Sequence, residues 1–168
     1  NMGQKLHDRV EPIGDIARIT NDCTLLFPTI PSRYALQEIT KFTPYLRPDH
    51  ILIHGTKGFN VLIKNFYDLD FFDFYASRED IQTISELIQK ETSVVRIGCV
   101  SGPNLAKELA AHQPAGTVVA SHFEEVIRLG REALRSTRFQ VYGTNDLIGV
   151  EFAGALKNII AIASGAIY

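Results

Sequence analysis

Three short stretches of this chain carry side chains suited to proton transfer or anion binding. The last, Gly149-Val-Glu-Phe-Ala-Gly-Ala-Leu-Lys-Asn-Ile-Ile-Ala-Ile-Ala-Ser-Gly-Ala-Ile-Tyr168, has a helical pattern and is apolar on nearly every face, with Glu151, Lys157, Asn158 and Ser164 as its polar side chains. A helix apolar all round is expected to be buried. Burial disfavours the charged form of an amine and lowers its pKa, which turns a lysine into a proton donor or acceptor near neutral pH. Gly154 lies one turn before Lys157 on the same face and would leave room there for a ligand. The plainer alternative is that Lys157 snorkels to solvent or neutralises Glu151.

The second stretch is His50-Ile-Leu-Ile-His-Gly, a buried strand in pattern, running into Thr56-Lys57-Gly58. A lysine placed there sits at the carboxyl edge of a sheet, where open α/β folds bind ligands. A solvated loop lysine is the alternative. In the third, the strand Val94-Val-Arg-Ile-Gly-Cys-Val ends in Ser101-Gly-Pro-Asn-Leu-Ala-Lys-Glu-Leu-Ala. Gly102 and Pro103 break the strand, and Leu105 and Leu109 begin the inner face of an expected helix. Free N–H groups at a helix start suit an anion, and an ordinary capped strand–helix turn is the alternative.

The elements that must position these groups alternate. A helical turn is expected at Asp15-Ile-Ala-Arg-Ile. A buried strand follows from Cys23, ending near Phe27 because Pro28 suits a central strand poorly. A helix follows Pro31 with Ser32 as N-cap; Tyr34, Ala35, Ile39 and Phe42 form its inner face, and Pro44 and Pro48 bracket its stop. Ser77-Arg-Glu-Asp carries a capping box ahead of Ile81, Ile84, Leu87 and Ile88 at helical spacing. Gly116–Ser121 reads as a strand, Phe123–Leu134 as a helix and Phe139–Tyr142 as a last strand. This order predicts an α/β fold with a mostly parallel sheet and flanking helices. The acidic-aromatic run Asn65–Tyr75 looks inserted and has no assigned role.

Composition narrows the classes of function. The chain has 168 residues, 45% hydrophobic and 21% charged, with a net charge of −2. Those values suit one globular unit with a real core and give no reason to expect nucleic acid or an anionic membrane as partner. Cys23 and Cys99 read as reduced core thiols of a cytoplasmic protein. His7, His50, His54, His112 and His122 form no ligand spacing, so no metal is expected; His54, near Lys57, is the one to watch. Glu151, Lys157 and Asn158 argue against a membrane span in the last helix. Asn1 ahead of Met2 reads as a tag remnant.

The run Glu151-Phe-Ala-Gly-Ala-Leu-Lys-Asn-Ile-Ile-Ala-Ile-Ala-Ser-Gly165 resembles the catalytic-lysine helix of NAD(P)-dependent glycerol-3-phosphate dehydrogenases. Thr56-Lys57-Gly58, Ser101-Gly-Pro-Asn-Leu-Ala-Lys-Glu108 and the Pro31-Ser32 turn resemble further landmarks of that family, in the family's order. The resemblance implies a Rossmann-like cofactor domain over 1–145 and the first helix of an all-helical substrate domain over 146–168. It implies NAD or NADP as cofactor, and dihydroxyacetone phosphate or glycerol 3-phosphate as small-molecule substrate, in a reaction that supplies phospholipid precursors. Lys157 matches the catalytic base; Lys57, Gly102, Asn104 and Lys157 match substrate-binding positions; Tyr34, Lys57 and Ala106 match positions bordering the cofactor.

The Gly-x-Gly-x-x-Gly turn of a first strand–helix unit is absent from the sequence. The expectation is therefore a partial chain, inactive alone, that associates with itself, as a homodimer for example, through residues 150–168. A hydroxyacid dehydrogenase, or a non-catalytic α/β binding or assembly module, is the alternative.

Overall fold

The computed structural model describes residues 7–63 and 77–167, so the Asn65–Tyr75 run lies outside the described residues. The short apolar runs become strands β1 (Leu25–Leu26), β2 (Ile51–His54), β5 (Arg96–Ser101), β6 (Ala115–Ser121) and β7 (Phe139–Thr144), joined in one sheet in that order. Strands β3 (Asn60–Val61) and β4 (Ile81–Gln82) form a separate antiparallel pair. The helices are α1 (Ile16–Asp22), α2 (Ala35–Phe42), α3 (Ile84–Glu91), α4 (Ala106–Ala110), α5 (Glu124–Leu134) and α6 (Leu147–Gly165).

The pairings β1–β2, β2–β5 and β6–β7 are parallel, as expected of this alternation, and β5–β6 is antiparallel. The connection between β5 and β6 holds only the five-residue α4, where a parallel crossover usually carries a full helix.

Side-chain alternation along the strands divides the core into two layers. On one face Leu52 and Ile97 pack with Ala35 and Ile39 of α2 and with Ile84, Leu87 and Ile88 of α3. On the other, Ile51, Ile53, Val119 and Val141 pack with Val126 of α5. All four residues of β2 are buried, as a strand covered on both faces must be. Helix α6 shares the face of Ile97: its Leu147 and Val150 pack on Cys99 and Ala120.

Several local expectations change. Helix α1 is longer than a turn, because the Asp15 carboxylate accepts from the N–H groups of Ala17 and Arg18 and caps it. Ser32 does not cap α2; it opens a 3-10 turn, Ser32–Tyr34, and α2 starts only at Ala35. Tyr34 therefore leaves the inner face and is 43% exposed. The Ser77 capping box exists, but it closes a 3-10 turn at Arg78–Asp80. Helix α3 has its own box, in which the Thr83 hydroxyl accepts from the Glu86 N–H and the Glu86 carboxylate accepts from the Thr83 N–H. Cys23 is exposed at the end of α1, and Cys99 alone is a core thiol.

The largest departures concern α4 and α6. Leu105 and Leu109 are exposed, so α4 has no inner face, and a single turn concentrates little dipole at its start. In α6 only Leu147, Glu151 and Gly154 are buried, while Ile159, Ile160 and Ile162 are exposed. By length and composition α6 is apolar enough to cross a membrane. Its first half packs on the sheet, and residues 158–165 are exposed among the described residues.

Close approach of β5 to its neighbours sets the demand for glycine at position 98. A Cβ there would meet the Ala120 carbonyl oxygen at 2.8 Å and Val126 Cγ1 at 2.9 Å. Gly98→Ala should cost about 1–3 kcal/mol of overpacking. Chemical denaturation reads this as a lower midpoint at unchanged slope; an unchanged midpoint would mean that β5, β6 and α5 are not this close.

Candidate functional site

The loops at the carboxyl ends of β1, β2 and β5 are knit to one another. After β2, the Gly55 N–H donates to the Pro28 carbonyl at 2.8 Å and the Thr56 hydroxyl donates to the Ile30 carbonyl at 2.7 Å. Gly58 has φ +122°, a conformation that favours glycine, and Ser32 Oγ lies 2.9 Å from where its Cβ would be. The turn is thereby closed tightly against the β1 loop. Lys57, held in that turn, donates from Nζ to the Gly102 carbonyl at 3.2 Å. That bond joins the β2 loop to the β5 loop.

Lys157 completes the cluster from α6. Lys57 is largely exposed, yet its ammonium is held below the usual lysine range; partial desolvation is the largest cause, and the charge and hydrogen-bonding contribution of Lys157 add to it. The two amines are thus neighbours, though they stand 100 residues apart in the chain. Lys157 does not neutralise Glu151. That carboxylate turns to the other side of α6, where Oε1 accepts from the Ser85 N–H at 3.0 Å and lies 3.2 Å from His54 Nε2.

The remaining positions fall around this pair with different strengths. Gly102 is in direct contact through its carbonyl, but its lack of a side chain is required by β6: a Cβ would meet the Gly116 carbonyl oxygen at 2.8 Å and Thr117 Oγ1 at 2.9 Å. Asn104, two residues on, is half-buried, and its Oδ1 is buried without a hydrogen-bond partner among the described residues. Such an orphan acceptor is a place for a ligand donor. Ala106 is exposed at the start of α4. Tyr34 is linked to the cluster through Ser32, and its ring carries the Arg33 guanidinium 4.6 Å from its centroid. Gly154 does not open the helix face to a ligand; Ser101 Oγ fills that space, 2.6 Å from where a Cβ would lie.

Sequence reasoning missed the group that fastens α6. His54 and Glu151 have side chains 1% and 3% exposed, and His54 Nε2 is also 3.0 Å from Ser85 Oγ. The available signal was a glutamate in an otherwise apolar helix together with a histidine in a fully buried strand. Burial pushes the Glu151 carboxyl up, but the hydrogen bond and charge of His54, with the N–H and hydroxyl of Ser85, outweigh it and hold the group below the ordinary carboxylate range. Burial likewise pushes the Cys99 thiol well up, and the Glu151 charge adds to that, so Cys99 is an inert packing group.

Comparisons with known proteins concern the chain as a whole. Residues 2–127 match the sequence model of the family described as NAD-dependent glycerol-3-phosphate dehydrogenase N-terminus. The chain is 36% identical over 163 residues to the glycerol-3-phosphate dehydrogenase (NAD(P)+) of Pseudomonas paraeruginosa, an alignment covering 97% of this chain and 43% of that protein. It is 36% identical over 160 residues to the enzyme of the same name from Acinetobacter baylyi, covering 95% of this chain and 40% of that protein. The chain thus spans about two-fifths of the length of these relatives. Among solved structures it resembles the glycerol-3-phosphate dehydrogenase of Coxiella burnetii, with a TM-score of 0.71 and 29% identity over 90% of this chain and 41% of that one. The DsGPDH of Dunaliella salina has a TM-score of 0.80 at 21% identity over 97% of this chain and 26% of that one, a likeness of fold.

The folded pKa of Glu151 lies below its ordinary value of 4.5. The group therefore adds stability in full above that pH, and the gain is lost as pH falls through the folded value. Glu151→Gln should destabilise the chain at neutral pH and flatten the acid limb of its stability profile. Urea midpoints measured from pH 7 down to pH 3 check this; parallel profiles for the two proteins would mean that the carboxylate is not held this way.

Proposed function

From its place in the NAD-dependent glycerol-3-phosphate dehydrogenase family, to which this chain belongs, we propose that it carries the proton-transfer centre for the interconversion of dihydroxyacetone phosphate and glycerol 3-phosphate. The observation that carries this reading is the meeting of Lys57, Gly102 and Lys157, three residues from separate stretches, at one edge of the sheet.

A bound NADH or NADPH would supply the hydride that reduces C2 of the ketone. Lys157 gives a proton to the C2 oxygen as the new C–H bond forms, and takes it back in the reverse direction. Lys57, fixed by the Gly102 carbonyl, brings a second positive charge to an anionic substrate. The neighbouring charge of Lys157 adds to the desolvation that disfavours the charged form of Lys57. The buried Asn104 Oδ1 fits a substrate hydroxyl as its missing donor. The half-exposed Tyr34 ring and the exposed Ala106 fit the border of a planar cofactor ring. On this reading 1–145 belong to the cofactor domain, and α6 opens the substrate domain. The free thiols of Cys23 and Cys99 favour a reducing, cytoplasmic location.

Lys157→Ala in the full-length enzyme should lower kcat by roughly 10²–10⁴-fold, the usual worth of a positioned acid–base group. NADH oxidation with dihydroxyacetone phosphate measures it; retention of most activity would remove Lys157 from the proton-transfer role.

We also propose that this chain self-associates, as a homodimer, through residues 150–168, supported by the exposed side chains of Leu156, Ile159, Ile160 and Ile162. Sedimentation should show a dimer that Ile160→Lys shifts to monomer. A monomer at all concentrations would end that reading.

A further inference from the structure

Helix α6 brings Lys157 beside Lys57, and most of what holds the helix is poorly suited to fixing its position. Leu147 and Val150 pack on Cys99 and Ala120, and the Phe152 ring lies 4.7 Å from that of Phe59. Apolar contacts are non-directional and permit small slides and rotations. Among the described residues, one contact of the helix with the rest of the chain is a side-chain hydrogen bond. Glu151 Oε1 takes a hydrogen bond from the Ser85 N–H at 3.0 Å and meets His54 Nε2 at 3.2 Å, and the same His54 nitrogen meets Ser85 Oγ at 3.0 Å. Ser85 belongs to α3, and His54 is the last residue of β2, three residues before Lys57. Glu151 is six residues before Lys157, about 9 Å along the helix axis. One buried carboxylate therefore ties the helix of one lysine to the strand of the other.

We propose that Glu151, held by His54 and Ser85, is a positioning residue that sets the approach of Lys157 to Lys57. This deepens the functional reading above and rests on it only in the meaning given to the two lysines. The alternative role, a carboxylate that merely balances nearby positive charge, predicts the opposite sign. Removing an anion lowers the pKa of a neighbouring amine. Releasing Lys157 from Lys57 removes a like charge and raises it.

The test is an NMR titration of this chain with ¹³C-labelled lysine, the Lys57 resonance being assigned by Lys57→Arg. Glu151→Gln keeps the side-chain volume and leaves no cavity, and by loosening the helix it should shift the Lys57 midpoint upward toward the ordinary 10.5. Glu151→Ala should shift it further; if that variant does not fold, Glu151→Gln alone decides. Lys157→Met must produce the same upward shift by removing the like charge itself. Val126→Ala, a cavity in the opposite core layer, should lower stability and leave the midpoint where it was. An unchanged or lowered Lys57 midpoint in folded Glu151→Gln, with a rise in Lys157→Met, overturns the positioning role alone. No rise in Lys157→Met overturns the lysine contact and the functional reading with it. A rise in Val126→Ala as large as in Glu151→Gln means general loosening, and overturns the proposal as well.

Discussion

A buried carboxylate is the constraint on which the geometry of this chain turns. Withdrawing Glu151 from water costs several kcal/mol before any partner is counted. The cost is offset only because a backbone N–H from α3 and a histidine from β2 are already in place at hydrogen-bond distance. Those partners exist because of ordinary packing. Ser85 is placed by the Thr83–Glu86 box that starts α3, and His54 by a strand buried on both faces. The polar anchor thus depends on the hydrophobic core, and the position of α6 depends on the anchor.

The second organising feature is that Lys57, Gly102 and Lys157 gather where parallel strands end. β1, β2 and β5 run the same way, so their following loops meet at one edge. The hydrogen bonds from Thr56 to Ile30 and from Lys57 to Gly102 make those loops a single surface. The turn to antiparallel pairing at β6 leaves this edge to the first three strands and to α6. A lysine from a loop and a lysine from a helix then share a space that neither element could form alone, and their repulsion is tolerated because each is fastened by something else.

Much of this was legible from residue order. Strand-length apolar runs and capped helical segments marked the α/β class, and Thr56-Lys57-Gly58 and Ser101–Asn104 marked the strand ends. What was not legible depended on partners far away in the chain. Tyr34 fits an inner helical face by spacing, yet Ser32 is drawn toward Gly58 into a 3-10 turn, and Tyr34 is left outside. Gly154 suggested an opening, and Ser101 fills it. Cys23 stands just ahead of the apolar run Leu25–Phe27 but ends a short helix at the surface. Composition marked α6 as buried throughout, whereas burial also requires something to pack against.

The length of α6 gives that last point a mechanical meaning. Its contacts with the sheet run from Leu147 on Cys99 to Gly154 at Ser101, the end of β5. The eleven residues from there to Gly165 carry the helix about 16 Å past the last strand residue it touches. Among the described residues the helix is a cantilever, clamped at Glu151, with an apolar arm projecting beyond its support. Lys157 lies just outside the clamp, at the root of the arm, where a sideways load on the arm bends the beam most and displaces it least. A body that grips the arm therefore stiffens the lysine's mount without having to touch the lysine.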